Sequence, residues 1–102
     1  MKLATFTTEG SENPRYGFKK EEYIIDILYL SKFLQEKNND DRFLNLPHSL
    51  KESLKNWKKN FTKFKDLYNA SLNENLNEKT KDGFQIAQLE SDINFLAPVP
   101  NP

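Results

Sequence analysis

The hydrophobic positions change their spacing along the chain, and each change predicts an element. From Lys2 to Thr7, bulky Leu3 and Phe6 stand among Thr5 and Thr7, residues that favour extended backbone, so a first strand is expected. Glu9-Gly10-Ser11-Glu12-Asn13-Pro14 is loop by composition. Arg15 to Phe18 predicts a short second strand, Lys19-Lys20-Glu21-Glu22 a charged turn, and the apolar run Tyr23-Ile24-Ile25 a third strand. Three short strands joined by a loop and a charged turn read as an antiparallel meander.

Asp26 precedes a helical pattern, Ile27, Leu30, Phe33 and Leu34, and its carboxylate is placed to cap the first turn. Asn38-Asn39-Asp40-Asp41 ends that helix, and Phe43-Leu44-Asn45-Leu46-Pro47 reads as a connector with buried anchors. Ser49-Leu50-Lys51-Glu52 has the form of a capping box, in which Ser caps and Glu reaches back. After it Leu50, Leu54, Trp57, Phe61, Phe64 and Tyr68 recur at steps of four and three. That spacing predicts one continuous amphipathic helix, fraying past Ala70 where Asn73 to Asn77 is polar. Lys79 to Gly83 reads as a turn and Ile93 to Leu96 as a returning strand. Ala97-Pro98-Val99-Pro100-Asn101-Pro102 has proline at every second position, which excludes a helix or central strand and predicts an extended linker.

The expected fold is therefore α+β: a small antiparallel β-meander, two helices and a returning strand, over residues 1–96, with 97–102 as linker. The expected core is Leu3, Phe6, Tyr23, Ile25, Leu30, Leu34, Leu54, Trp57, Phe61, Phe64 and Leu96. With 102 residues and only 36% hydrophobic, one domain must draw its core from a few large side chains, and the 8 Phe, 4 Tyr and 1 Trp supply them.

Charge and cysteine content narrow the chemistry. Lys+Arg and Asp+Glu balance at 15 each, which gives no global attraction to nucleic acid or anionic membrane. With no cysteine, disulfides, thiolate nucleophiles and cysteine-held zinc are excluded, and a cytoplasmic location is expected. The opening apolar run is too short for a signal peptide, and no window approaches the ~18 apolar residues of a membrane helix. Gly10 and Gly17 are isolated, so there is no phosphate-cradling glycine loop and no nucleotide cofactor is expected.

Individual candidates read modestly. His48, the single histidine, is a conceivable general base, but it lies in a Pro47-His48-Ser49 turn and reads as solvated. The pairs Glu21-Glu22 and Asp40-Asp41 could share a cation, but they match no calcium-loop spacing and read as turn charges. Lys51 to Lys65 holds six lysines and one acid, Glu52, interleaved with Trp57, Phe61 and Phe64. It reads as an amphipathic helix with a solvated basic border, its lysine stems lying along the apolar stripe. No catalytic, cofactor-binding or metal-ligating residue is assigned in this chain.

Four segments together resemble the N-terminal region of prokaryotic fumarylacetoacetate hydrolase family proteins. They are the opening Met1-Lys2-Leu3-Ala4-Thr5-Phe6, the Arg15-Tyr16-Gly17 step before the second strand, Tyr23-Ile24-Ile25-Asp26 leading into the first helix, and the closing Phe95-Leu96-Ala97-Pro98-Val99-Pro100-Asn101-Pro102. In that family the closing segment leads into a catalytic β-roll. The roll uses Glu and Asp to hold Mg²⁺, Mn²⁺ or Ca²⁺, and the enzymes act on 2-oxo and 1,3-dicarbonyl acids as hydrolases, decarboxylases, hydratases, isomerases or dehydratases. A hard divalent ion suits that chemistry because it chelates a 2-oxo-carboxylate and stabilises an enolate. The resemblance implies a non-catalytic module with the metal in an absent catalytic domain, that domain as its partner, and a possible homodimer of the parent. The alternative is a free-standing interaction domain that binds a protein or RNA through the Lys51–Lys65 helix.

Overall fold

The computed structural model describes residues 2–96, so the predicted 97–102 linker lies outside the described residues. Five strands form one antiparallel sheet: β1 Lys2–Thr8, β2 Arg15–Lys20, β3 Tyr23–Asp26, β4 Ala87–Leu89 and β5 Ile93–Phe95, in the order β4-β3-β2-β1-β5. Between β3 and β4 lie α1 Ile27–Asn38, the short α2 Leu50–Ser53, a 3₁₀ turn Leu54–Asn56 and α3 Trp57–Ser71. The meander, the two main helices and the return to the sheet are as the sequence predicts.

Several details differ. β2 runs through Lys19 and Lys20, so the turn tightens to Glu21-Glu22, with Glu21 in the left-handed region at φ 55°. Arg15-Tyr16-Gly17 opens β2 rather than preceding it. β4 escapes the sequence reading because three residues containing Ala and Gln carry little strand preference. It is tied in by register, with Ile25 opposite Ala87 and Tyr23 opposite Leu89.

The predicted continuous helix from Leu50 to Ala70 is broken. Ser49 does cap α2, accepting from Glu52 N at 3.1 Å. The chain then tightens into the 3₁₀ turn, and Asn56 leaves helical geometry at φ −139°, ψ 58°. Asn60 Nδ2 donates to the Ser53 carbonyl across the break at 3.0 Å, so that carbonyl keeps a partner. A turn with 3.0 residues per repeat carries Leu54 off the apolar stripe, and Leu54 is 41% exposed rather than core. In α3 the buried line is Phe64, Leu67 and Ser71, with Trp57, Phe61 and Tyr68 only half-buried beside it.

The main core lies between one sheet face and the helices. Tyr16, Phe18 and Ile25 of the sheet meet Leu30 and Leu34 of α1 and Phe64 and Leu67 of α3, with Phe43, Leu46 and Ile86 closing the sides. Edge-to-face contacts link Tyr16 to Phe64 at 5.8 Å and Phe18 to Tyr68 at 5.6 Å. Of the predicted core, Phe6, Ile25, Leu30, Leu34 and Phe64 are buried. Leu3, Tyr23, Trp57 and Phe61 are half-buried, and Leu96, on the sheet edge beyond β5, is exposed.

The opposite sheet face carries a second small cluster, Phe6, Ile24 and Ile93 with Ala4 against it, and no helix belongs to it. Coiling of the sheet explains its burial. β4 and β5 are opposite edges, four inter-strand gaps apart, which in a flat sheet is roughly 19 Å. The chain passes from Leu89 to Ile93 in four residues, a reach of at most about 14 Å. The sheet must therefore curl until one corner of β4 approaches one corner of β5, wrapping Phe6 and Ile24 on its concave side.

Two consequences can be measured by urea unfolding. Phe64→Ala is expected to cost about 4 kcal/mol, whereas Leu54→Ala costs less than about 1 kcal/mol, the reverse of what a continuous stripe implies. Gly17→Ala is expected to cost about 3 kcal/mol, because a Cβ there would lie 2.0 Å from the Ile25 carbonyl oxygen. A wild-type midpoint for Gly17→Ala would mean that β2 and β3 do not approach so closely.

Candidate functional site

Two regions concentrate chemistry, and both start from the meander or the broken helix. The first is built around Asp26, the last residue of β3 and the cap of α1. Its Oδ1 accepts from Tyr29 N at 3.0 Å and from Arg15 Nη2 at 3.1 Å, and its Oδ2 accepts from Arg15 Nε. Gly17 stands directly opposite Asp26, so Arg15, two residues away on the same face, reaches it diagonally. Asp26 is 2% exposed, and its pairing with Arg15 and with the Tyr29 N–H keeps that buried carboxylate satisfied. Burial opposes the charge on Arg15, but the hydrogen bond and charge of Asp26 outweigh it, and the Arg15 pKa is raised.

Arg15 also lies over the Tyr29 ring, with its guanidinium carbon 3.7 Å from the centroid. The Phe84 ring is parallel to Tyr29 at 4.8 Å and is 45% exposed. The three groups border an open groove of about 690 Å³ whose rim also includes Ser11, Lys79 and Gln88. Arg15 is committed to Asp26, so the groove presents an aromatic face and amides, with Lys79, Glu9 and Asp92 as its other charged members.

The second region lies where the predicted helix breaks. Lys55 from the 3₁₀ turn and Lys59 and Lys63 from α3 line a groove of about 470 Å³ against Asn45 and Pro47 of the connector. Its floor is held firmly. Leu46 is 6% exposed, and the buried Tyr16 hydroxyl donates to the Pro47 carbonyl at 2.5 Å. Burial raises the Tyr16 pKa, and the charges of Asp26 and Glu52 add to the effect, so the phenol stays protonated and keeps donating.

The histidine and the acidic pairs singled out in the sequence do not assemble, whereas three lysines of the Lys51–Lys65 stretch do. His48 is exposed in a bend. Glu21 and Glu22 are exposed in the β2–β3 turn. Asp40 is held by Arg42 through two side-chain bonds, at 2.9 and 2.8 Å, and Asp41 points to solvent. The Arg42 hydrogen bond lowers the Asp40 pKa. Among the described residues no group of three or more His, Cys, Asp or Glu is disposed to hold a metal ion, and no helix is long and apolar enough to cross a membrane. The Arg15–Asp26 pair escaped the sequence reading although a signal existed: a hairpin turning at Glu21-Glu22 makes the two diagonal neighbours. The Tyr29–Phe84 stack had no such signal, since Phe84 arrives from a distant loop.

No family model, curated protein or solved structure matches this chain.

Arg15→Met removes the partner of a buried carboxylate and is expected to lower stability by about 3 kcal/mol. A loss below about 0.5 kcal/mol would show that the pair is not formed in solution. Tyr16 gives a pH test. Its folded pKa is raised above the unfolded value of 10.0, so its contribution is whole below pH 10.0 and is lost as pH rises through the folded value. Wild type should therefore lose more stability than Tyr16→Phe as urea melts are moved from below pH 10.0 to above it. Equal alkaline slopes would show that Tyr16 does not drive the loss.

Proposed function

We propose that this chain is a non-catalytic N-terminal module of a fumarylacetoacetate hydrolase family enzyme, a cytoplasmic metal-dependent enzyme acting on 2-oxo or 1,3-dicarbonyl acids. The observation that carries the reading is the convergence of its motif residues. Arg15 and Gly17 from one motif and Asp26 from another meet in a single arrangement: an ion pair, a close backbone approach and a helix cap. These residues act as one unit, so their joint presence says more than three separate matches.

The module's surface supports docking on a larger partner. Phe95 is 48% and Leu96 39% exposed on the sheet edge at β5, immediately before the segment that in the family leads into the catalytic domain. Phe84 adds an exposed aromatic ring. Large apolar side chains at a strand edge suit a contact with protein better than with water. In this reading the Mg²⁺, Mn²⁺ or Ca²⁺ ligands belong to the catalytic domain of the same chain, which is the module's partner, and the parent assembles as a homodimer.

The test is the protein as its source makes it. The expected product is heavier than 12.0 kDa by at least a further domain. It should turn over an acylpyruvate or oxaloacetate only with a divalent ion, and chelation should abolish the activity, while the 102-residue chain alone gives none. A natural product of 12.0 kDa, or turnover by this chain alone, would refute the assignment.

A further inference from the structure

The protein treats its cations unevenly. Among the described residues, the five ion pairs use Arg15, Lys19, Lys32, Lys37 and Arg42. None uses any of the six lysines between Lys51 and Lys65. Three of those six line one groove: Lys59 and Lys63 stand four residues apart on α3, about 6 Å of axial rise, and Lys55 joins them from the 3₁₀ turn across the break at Asn56. Lys59 and Lys63, like charges four residues apart on one helix, repel each other. Glu52 is the single acid on the groove, and it forms none of these ion pairs.

Both walls are set before any ligand arrives. Phe64 and Leu67 anchor α3 in the core, Asn60 bridges the break to Ser53, and Leu46 with the Tyr16–Pro47 bond fixes the connector. The remaining lining is amide-bearing: Asn45, Asn56 and Asn60. Pro47 is the one apolar member, so a folded protein partner would find no pocket for an apolar anchor here. Trp57 packs on the core, Phe61 lies against Trp57, and neither lines the groove, so stacking of bases contributes little.

We infer that this groove binds a single-stranded nucleic-acid backbone, with Lys55, Lys59 and Lys63 each neutralising one phosphate, without preference for sequence. The inference is independent of the enzyme-family reading. A chain of zero net charge adds no long-range attraction, so binding is weak and salt-labile.

The test uses this chain and a fluorescently labelled oligo-uridylate, followed by anisotropy across a salt series. Three phosphate contacts predict a slope of log K against log salt of about −2, and Lys59→Gln reduces it to about −1.4. Lys81→Gln removes the same charge from an exposed position outside the groove and should leave slope and affinity unchanged. Equal effects of the two substitutions would overturn the proposal, because binding would then follow overall charge. So would competition by inorganic triphosphate at the same phosphate concentration, which points to a small polyphosphate. Equal competition by poly-glutamate would also overturn it, by showing an acidic protein surface to be as good a ligand.

Discussion

The buried Asp26 carboxylate joins the three parts of the fold. It ends β3, caps α1 and holds Arg15 at the start of β2, so the sheet and the first helix share one anchor. The helix direction follows from that cap. Once α1 leaves the sheet from Asp26, Ile27, Leu30 and Leu34 face Tyr16, Phe18 and Ile25, and α3 packs against the remaining sheet surface. Without its partners the same carboxylate would be a buried uncompensated charge, which is among the costliest single defects a small domain can carry.

Gly17 makes the arrangement possible. Its missing side chain lets β2 approach the Ile25 carbonyl and brings Arg15 within reach of Asp26. The close approach also fits the curl of the sheet. A coiled sheet buries Phe6, Ile24 and Ile93 on the face that no helix covers, so a chain of modest hydrophobic content has two cores rather than one. The main core is mainly aliphatic with Tyr16, Phe18, Phe33, Phe43 and Phe64 among it and edge-to-face ring contacts at 67° and 86°, and the second is small and aliphatic apart from Phe6.

Function is read from surfaces rather than from a catalytic centre. The β5 edge with Phe95 and Leu96 and the ring of Phe84 offer apolar contacts, and the broken helix offers a row of lysines. The break creates the groove. A helix running straight from Leu50 to Ala70 would have placed Lys55 on its own cylinder, whereas the 3₁₀ turn and Asn56 set Lys55 beside the connector.

The sequence by itself determined the strands β1 to β3, the cap at Asp26, the end of α1 at Asn38, the N-cap at Ser49 and the returning strand at Ile93. All of these rest on local chemistry, namely alternation, turn composition and side chains that satisfy nearby backbone N–H groups. The Arg15–Asp26 pair was legible in principle, because hairpin register follows from the turn. The helix break, β4, the exposure of Leu54 and the Tyr29–Phe84 stack were decided only by the tertiary structure. Spacing specifies which residues can share a stripe, but it is blind to which neighbour covers it. Leu54 loses its place because the 3₁₀ turn rotates it off the stripe that Leu50 and Phe64 keep, and Ala87 becomes strand because Ile25 was there to pair with it.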